Sequence, residues 1–166
     1  MQTLIPTAQV IADLLKARGE TVAIAESSGG GLISAALLSV PGASAYFLGG
    51  GVVYTRQARE ALAGITMADI KQRGIRSSSE PYAALLAERM QQRHGATWGL
   101  AETGASGPTG NRYGDPAGHT CIAVAGPSQR VLTLRTGSAD RVDNMRAFGL
   151  KALETFAEVL KAAPKA

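Results

Sequence analysis

Between Thr21 and Leu38 the chain runs from an apolar stretch, Val22-Ala-Ile-Ala25, through Glu26-Ser-Ser-Gly-Gly-Gly31, into Leu32-Ile-Ser-Ala-Ala-Leu-Leu38. The first stretch reads as a buried strand and the last as a helix, so six small or acidic residues must carry the chain from one to the other. Strand, small polar loop, helix is the unit of a layered α/β domain. It is also the order of parts that makes an anion site. Glycine lets a backbone approach a ligand closely, and the N–H groups of a helix start offer it the positive end of the dipole. A tight turn with no ligand uses the same residues and reads the loop equally well. The spacing matches neither G-x-G-x-x-G nor G-x-x-x-x-G-K-[ST], so neither a dinucleotide fold nor an NTPase follows.

Taken in order, residues 3–19 form a helix with Pro6 near its start, Val10, Ile11, Leu14 and Leu15 at helical spacing, and Gly19 at its end. A second helix covers residues 30–38 and stops before Pro41-Gly42. Residues 46–48 and 52–55 look like strand interrupted by the triplet Gly49-Gly-Gly51. Short helices at 56–63 and 67–73 are closed by Gly64 and Gly74, and a long one follows Ser79, its N-cap, to about residue 93. A strand at 97–103 leads through a long Gly/Pro loop into a hairpin, 119–125 and 131–136, turned by Gly126-Pro-Ser-Gln. Asp140 caps a terminal helix to about Leu160, with residues 162–166 frayed. Helices flanking strands, with one late hairpin, predict a single three-layer α/β/α domain over residues 1–166, with a mixed, mostly parallel sheet.

A chain of 166 residues with 45% apolar and 18% charged residues can bury a core without a staple. One cysteine, Cys121, rules out an internal disulfide framework, and neither a signal peptide nor a membrane-length apolar run is present. A cytoplasmic protein is expected, with no membrane partner. Twelve of the seventeen basic residues are arginine, scattered singly behind a net charge of +4, and aromatics make up only 5%. That pattern argues against a nucleic-acid surface and suits small anionic ligands.

The strand ending at Thr103 runs into Gly104-Ala-Ser106-Gly107-Pro-Thr-Gly. In open α/β sheets ligands sit beyond the carboxyl ends of the strands, so this loop and the first glycine loop are expected to line one crevice. Ser-x-x-Lys and G-x-S-x-G are both absent, and two histidines and one cysteine, widely separated, make no metal-ligand pattern. The hydroxyls left for chemistry are Ser27, Ser28, Ser44, Tyr54 and Ser106, with Glu26 beside them. A serine needs a neighbour to take its proton. Arg59 stays protonated and is excluded from that role, which leaves Tyr54, beside that positive charge, as the base near Ser44.

Ala25-Glu-Ser-Ser-Gly-Gly-Gly-Leu, Pro41-Gly-Ala-Ser-Ala-Tyr-Phe, Val53-Tyr-Thr, Ser79-Glu-Pro, and Thr103-Gly-Ala-Ser-Gly-Pro with Pro116-Ala-Gly-His-Thr occur in that order. Together they resemble the CinA C-terminal domain family, the nicotinamide mononucleotide deamidases, from about residue 6 to 160. The resemblance implies an anticodon-binding-domain-like α/β/α fold and hydrolysis of the carboxamide of nicotinamide mononucleotide, with no metal or organic cofactor. It makes Ser44 the nucleophile and Tyr54 a proton relay. The family's activating lysine falls on Arg59, its Glu-Ser-Cys-Thr-Gly-Gly reads Glu26 to Gly31 here, and its Tyr-Ser-Asn asparagine is Arg56. On this reading Glu26, Ser27, Ser28, Gly30, Gly31, Gly104, Ser106 and Gly107 line the substrate site, the phosphate rests on the first glycine loop and helix start, and Arg141 joins it. The partner is a small-molecule nucleotide, with self-association left open. An arginine in the lysine position also allows a second reading: a relative that keeps the nucleotide pocket with its chemistry lost or altered.

Overall fold

The computed structural model describes residues 1–165. Five strands, β1 (Val22–Glu26), β2 (Phe47–Val52), β3 (Trp98–Ala105), β4 (His119–Ala125) and β5 (Arg130–Arg135), form one sheet in the order β2-β1-β3-β4-β5. β1 is parallel to both β2 and β3, whereas β3–β4 and β4–β5 are antiparallel. Four strands therefore point one way and β4 alone is opposed. The helices are α1 (Ile5–Arg18), α2 (Leu32–Leu38), α3 (Arg56–Ala58, continued by a π-turn over Arg59–Ala63), α4 (Met67–Arg73), α5 (Glu80–His94) and α6 (Arg141–Ala162).

The two faces of the sheet differ in side-chain size, and that difference sets how closely each helix layer packs. Val22, Ile24, Trp98, Leu100, Ile122 and Val124 face α1, α2 and α6, where Leu4, Ile11, Leu15, Leu37, Leu153 and Phe156 complete a buried core. The alternate residues, Ala23, Ala25, Ala101, Cys121, Ala123 and Ala125, face α5 with Ala83, Leu86, Ala87 and Met90. Strand alternation thus puts the bulky set on one side and the small set on the other. α5 lies almost on the sheet backbone: a Cβ on Gly99 would come within 2.0 Å of the Ala87 carbonyl oxygen. Burial of Cys121 fits its place in this layer.

Some expected details change. The buried stripe of α1 is Ala8, Ile11, Ala12 and Leu15, while Val10 is exposed. The second glycine triplet does not interrupt a strand; Gly49 to Gly51 all pair with β1 inside β2. Ala163 is buried rather than frayed, and its carbonyl accepts from Arg18 Nη2 at 2.6 Å; Ala166 lies outside the described residues. Among the described residues no helix is long and apolar enough to cross a membrane.

Parallel β1, β2 and β3 bring three loops to one end of the sheet, residues 27–31, 53–55 and 106–118. β5 also ends there, and α6 begins beside it. Asn144, in the first turn of α6, donates to the carbonyls of Ser106 (2.8 Å) and Ser138 (2.9 Å), fixing the long loop against the helix.

Candidate active site

The first glycine loop is held by two buried glutamates. Glu26 ends β1 and turns back onto α2, where its carboxylate accepts from the backbone N–H groups of Gly31 (3.0 Å), Ile33 (2.9 Å) and Ser34 (2.8 Å) and from the Ser34 hydroxyl (2.6 Å). Glu102, on β3, accepts from the N–H groups of Ser27 (3.1 Å) and Gly29 (2.7 Å), from the Thr120 hydroxyl (2.7 Å) and from the Ser28 hydroxyl. A glutamate in an otherwise small, apolar strand is tolerated because its oxygens collect these donors. Burial pushes the Glu26 carboxyl above its usual range; the bonds from Ser34 and Ile33 act against this, and the nearby charge of Glu102 adds to it.

This arrangement corrects the expectation that a phosphate rests on the first glycine loop. The N–H groups meant for the phosphate already serve two carboxylates, whose charge would repel it. Ser28 is turned to Glu102, and Gly30 N–H donates to the Ser27 carbonyl at 3.2 Å. The glycines here serve a stapled turn: Gly30 and Gly31 have φ of 69° and 99°, left-handed values that glycine adopts without penalty.

Over the carboxyl ends of β1, β2 and β3 lies a cavity of about 380 Å³, lined among others by Ser27, Tyr54, Arg59, Thr103 and Gly104. A smaller one of about 240 Å³ is lined by Ser28, Tyr54, Gly104, Ser106, Gly107 and Arg141. Tyr54, Gly104 and Asn111 line both, so the two form one cleft. Ser27 is half-buried and its hydroxyl has no protein partner among the described residues. Tyr54 is exposed, and its oxygen accepts from Arg141 Nη2 at 3.3 Å; Arg141 Nη1 donates to the Gly107 carbonyl at 2.6 Å. Ser106 contributes a buried hydroxyl with no partner among the described residues.

Ser44 does not belong to this cleft. It is exposed in the 3-10 turn Ala43–Ala45, at the amino end of β2, and lines neither cavity. The six residues of β2 put about 20 Å between that turn and Tyr54. The Pro41-Gly-Ala-Ser-Ala-Tyr stretch works as a corner instead. It buries Tyr46, whose hydroxyl donates to the Leu37 carbonyl and whose own carbonyl receives the Val22 N–H at 2.7 Å. Glu26, Gly30 and Gly31 also lie outside the cavity lining, Glu26 buried beneath the loop and Gly30 exposed on it.

Arg59 is buried at 5% exposure; Nε donates to the Ile65 carbonyl (3.0 Å) and Nη2 to Met67 Sδ (3.1 Å). Burial raises the Tyr82 phenol, while Arg59 and Ser77 beside it pull in the other direction. For Tyr113 burial also acts upward, but hydrogen bonds from Arg112 and Ser77 and the charges of Arg112 and Arg59 together bring it below its usual value. The cleft wall is completed by Arg76, Ser77, Ser78, Tyr82, Arg112 and Tyr113, none of which sequence motifs singled out as ligand-facing. Ser78 takes φ 57°, a left-handed backbone uncommon for serine, and its carbonyl lies 3.0 Å from His119 Nε2. Glu102 was within reach of sequence reasoning, since a lone acid inside an apolar strand demands partners. The wall residues come from loops whose meeting depends on the tertiary fold.

Comparison with known proteins agrees with this architecture. Residues 5–160 match the family model of the CinA C-terminal domain. A CinA-like protein of Prochlorococcus marinus is 46% identical over 120 residues, covering 72% of this chain and 28% of the relative. One from Salinibacter ruber is 37% identical over 145 residues, covering 87% and 35%. The chain thus spans about a third of the length of the curated relatives it matches. The crystal structure of a competence/damage inducible protein from Agrobacterium tumefaciens superposes with a TM-score of 0.85 at 28% identity, covering 96% of both chains. A Klebsiella pneumoniae competence damage-inducible protein superposes at 0.87 and 23% identity, covering 96% of this chain and 98% of that one, a likeness of fold. With the match running from the first turn of α1 nearly to the end of α6, the chain belongs to the CinA C-terminal domain family.

Proposed function

We propose that the chain hydrolyses the carboxamide of nicotinamide mononucleotide, giving nicotinic acid mononucleotide and ammonia, with Ser27 as the nucleophile. The observation that carries this is the convergence of an unpartnered serine hydroxyl, a tyrosine and an arginine pair over the carboxyl ends of three parallel strands. The pyridine ring goes to the larger cavity, whose lining includes Tyr82, Tyr113, Met67 and Ile70. The phosphate goes to Arg141 and the unpartnered Ser106 hydroxyl in the smaller one.

Ser27 Oγ attacks the carboxamide carbon and passes its proton to the Tyr54 oxygen. Tyr54 gives its own proton to the departing nitrogen as the C–N bond breaks. Arg141 holds Tyr54 in place by donating to its oxygen, and the Arg59 guanidinium meets the oxyanion that forms in the larger cavity. Water then adds to the acyl-serine, the acid leaves, and Ser27 regains its proton. Ammonia release from the mononucleotide tests this, and Tyr54→Phe should lower the rate by about 10² to 10⁴. Wild-type protein that releases no ammonia overturns it.

One observation favours a second reading. Arg59 occupies the position of the family's lysine and, as a guanidinium, takes no proton at neutral pH. A relative with its pocket retained and its chemistry silent would show a raised melting temperature with the nucleotide and no ammonia.

A further inference from the structure

The larger cavity is lined by four arginines, Arg56, Arg59, Arg76 and Arg112, and by no aspartate or glutamate. Their charges are not equally balanced. Arg76 is matched by Asp115 in a bidentate pair at 2.6 and 2.9 Å. Arg56 is exposed and has Glu60 at 4.0 Å. Arg112 donates to the Tyr113 hydroxyl at 3.0 Å and stacks on that ring, with no carboxylate within ion-pair distance among the described residues. Arg59 is the extreme case: it is buried, its hydrogen bonds go to a carbonyl and a thioether, and its only carboxylate among the described residues is the half-exposed Glu60, again at 4.0 Å.

A guanidinium taken out of water without a close anion is costly, and a ligand that brings the anion removes that cost. The two forms of a pyridine mononucleotide differ at just this end. A carboxylate offers two acceptor oxygens to the guanidinium fork. A carboxamide offers one, and its NH₂ turns two donors toward groups that are themselves donors, a mismatch that discriminates more strongly than a lost contact.

Resting on the proposed placement of the ring in this cavity, we infer that the Arg59 end of the cleft is a carboxylate seat. The site then holds the acid form of the nucleotide, its own product, more tightly than the carboxamide form. Arg112 adds to the attraction from the rim. Arg59 is thus a specificity-determining residue, and product departure is slowed by the charge that stabilises the oxyanion.

The test is titration calorimetry of both nucleotide forms with the Ser27→Ala chain, so that the carboxamide is not consumed. The acid form should bind about tenfold or more tightly. In Arg59→Gln on the same background the two affinities should come within about twofold of each other. Equal affinities before Arg59 is replaced, the result expected if the phosphate sits on Arg59, overturn the seat, as does tighter binding of the carboxamide. Because Arg59→Gln can unfold the chain, the exposed Arg112→Gln serves as the second variant and should narrow the ratio; an unchanged ratio there, with Arg59→Gln also unchanged or unfolded, counts against the seat. Ammonia release by the wild-type chain is read separately. Release with equal affinities removes the seat and leaves the amidase, and no release with tight acid binding removes the amidase and leaves the seat.

Discussion

Glu102 and Glu26 show how single residues shape this site without facing a ligand. Glu26 gathers four donors from the loop and helix start that follow β1, and Glu102 gathers three from that loop and a fourth from Thr120 on β4. Removing one strands several buried N–H and O–H groups at once. Glu102→Ala should therefore destabilise the fold by about 2–4 kcal/mol, read as a lower urea midpoint at unchanged slope. A midpoint equal to wild type would mean that the loop holds its shape without the carboxylate. The same scale explains why the glycine loop misleads when read alone. Its composition is right for an anion, and the anions are the protein's own side chains.

At the scale of elements, the helices and strands were largely legible because apolar periodicity, Pro6, Ser79 and the closing glycines mark them. The glycine triplet in β2 was not, because glycine there reports tight packing and not a break: a Cβ on Gly49 would meet the His94 ring at 2.7 Å, and one on Gly51 would meet Leu62 at 2.9 Å. Chain order separates the two serines. Ser27 follows its strand and Ser44 precedes its own, and only the first position lies at a carboxyl end where α/β sheets bind ligands. Close packing of α5 on the small face gives a prediction of its own. Gly99→Ala drives a methyl into the Ala87 carbonyl and should cost about 1–3 kcal/mol, seen as a lower melting temperature. No loss would mean that α5 moves away freely.

For the whole molecule, the segment between α4 and α5 is clamped to the long β3–β4 loop by Arg76 and Asp115. The hydrogen bond from Arg76 lowers the Asp115 carboxyl below its usual range, with burial acting against it and Asn111 adding to the lowering. A depressed folded-state pKa means stability that is present above the unfolded value of about 3.9 and is lost as pH falls through the folded one. Asp115→Asn should remove that part of the acid dependence; an unchanged acid limb would place it elsewhere. Glu26 works in the opposite sense: with its folded-state carboxyl raised, its contribution is present below the unfolded value of about 4.3 and falls as pH rises from there through the folded one.

What joins these scales is the proposed placement of the chemistry at the loop-gathered end of the sheet, with Ser27 in the cleft and Ser44 about 20 Å away at the other end of β2. Ammonia release from nicotinamide mononucleotide by wild type, Ser27→Ala and Ser44→Ala tests that placement most directly. The expected result is release by wild type and by Ser44→Ala at similar rates, with Ser27→Ala lowered by about 10³-fold or more. Release that survives in Ser27→Ala and disappears in Ser44→Ala, with both variants folded, would contradict it.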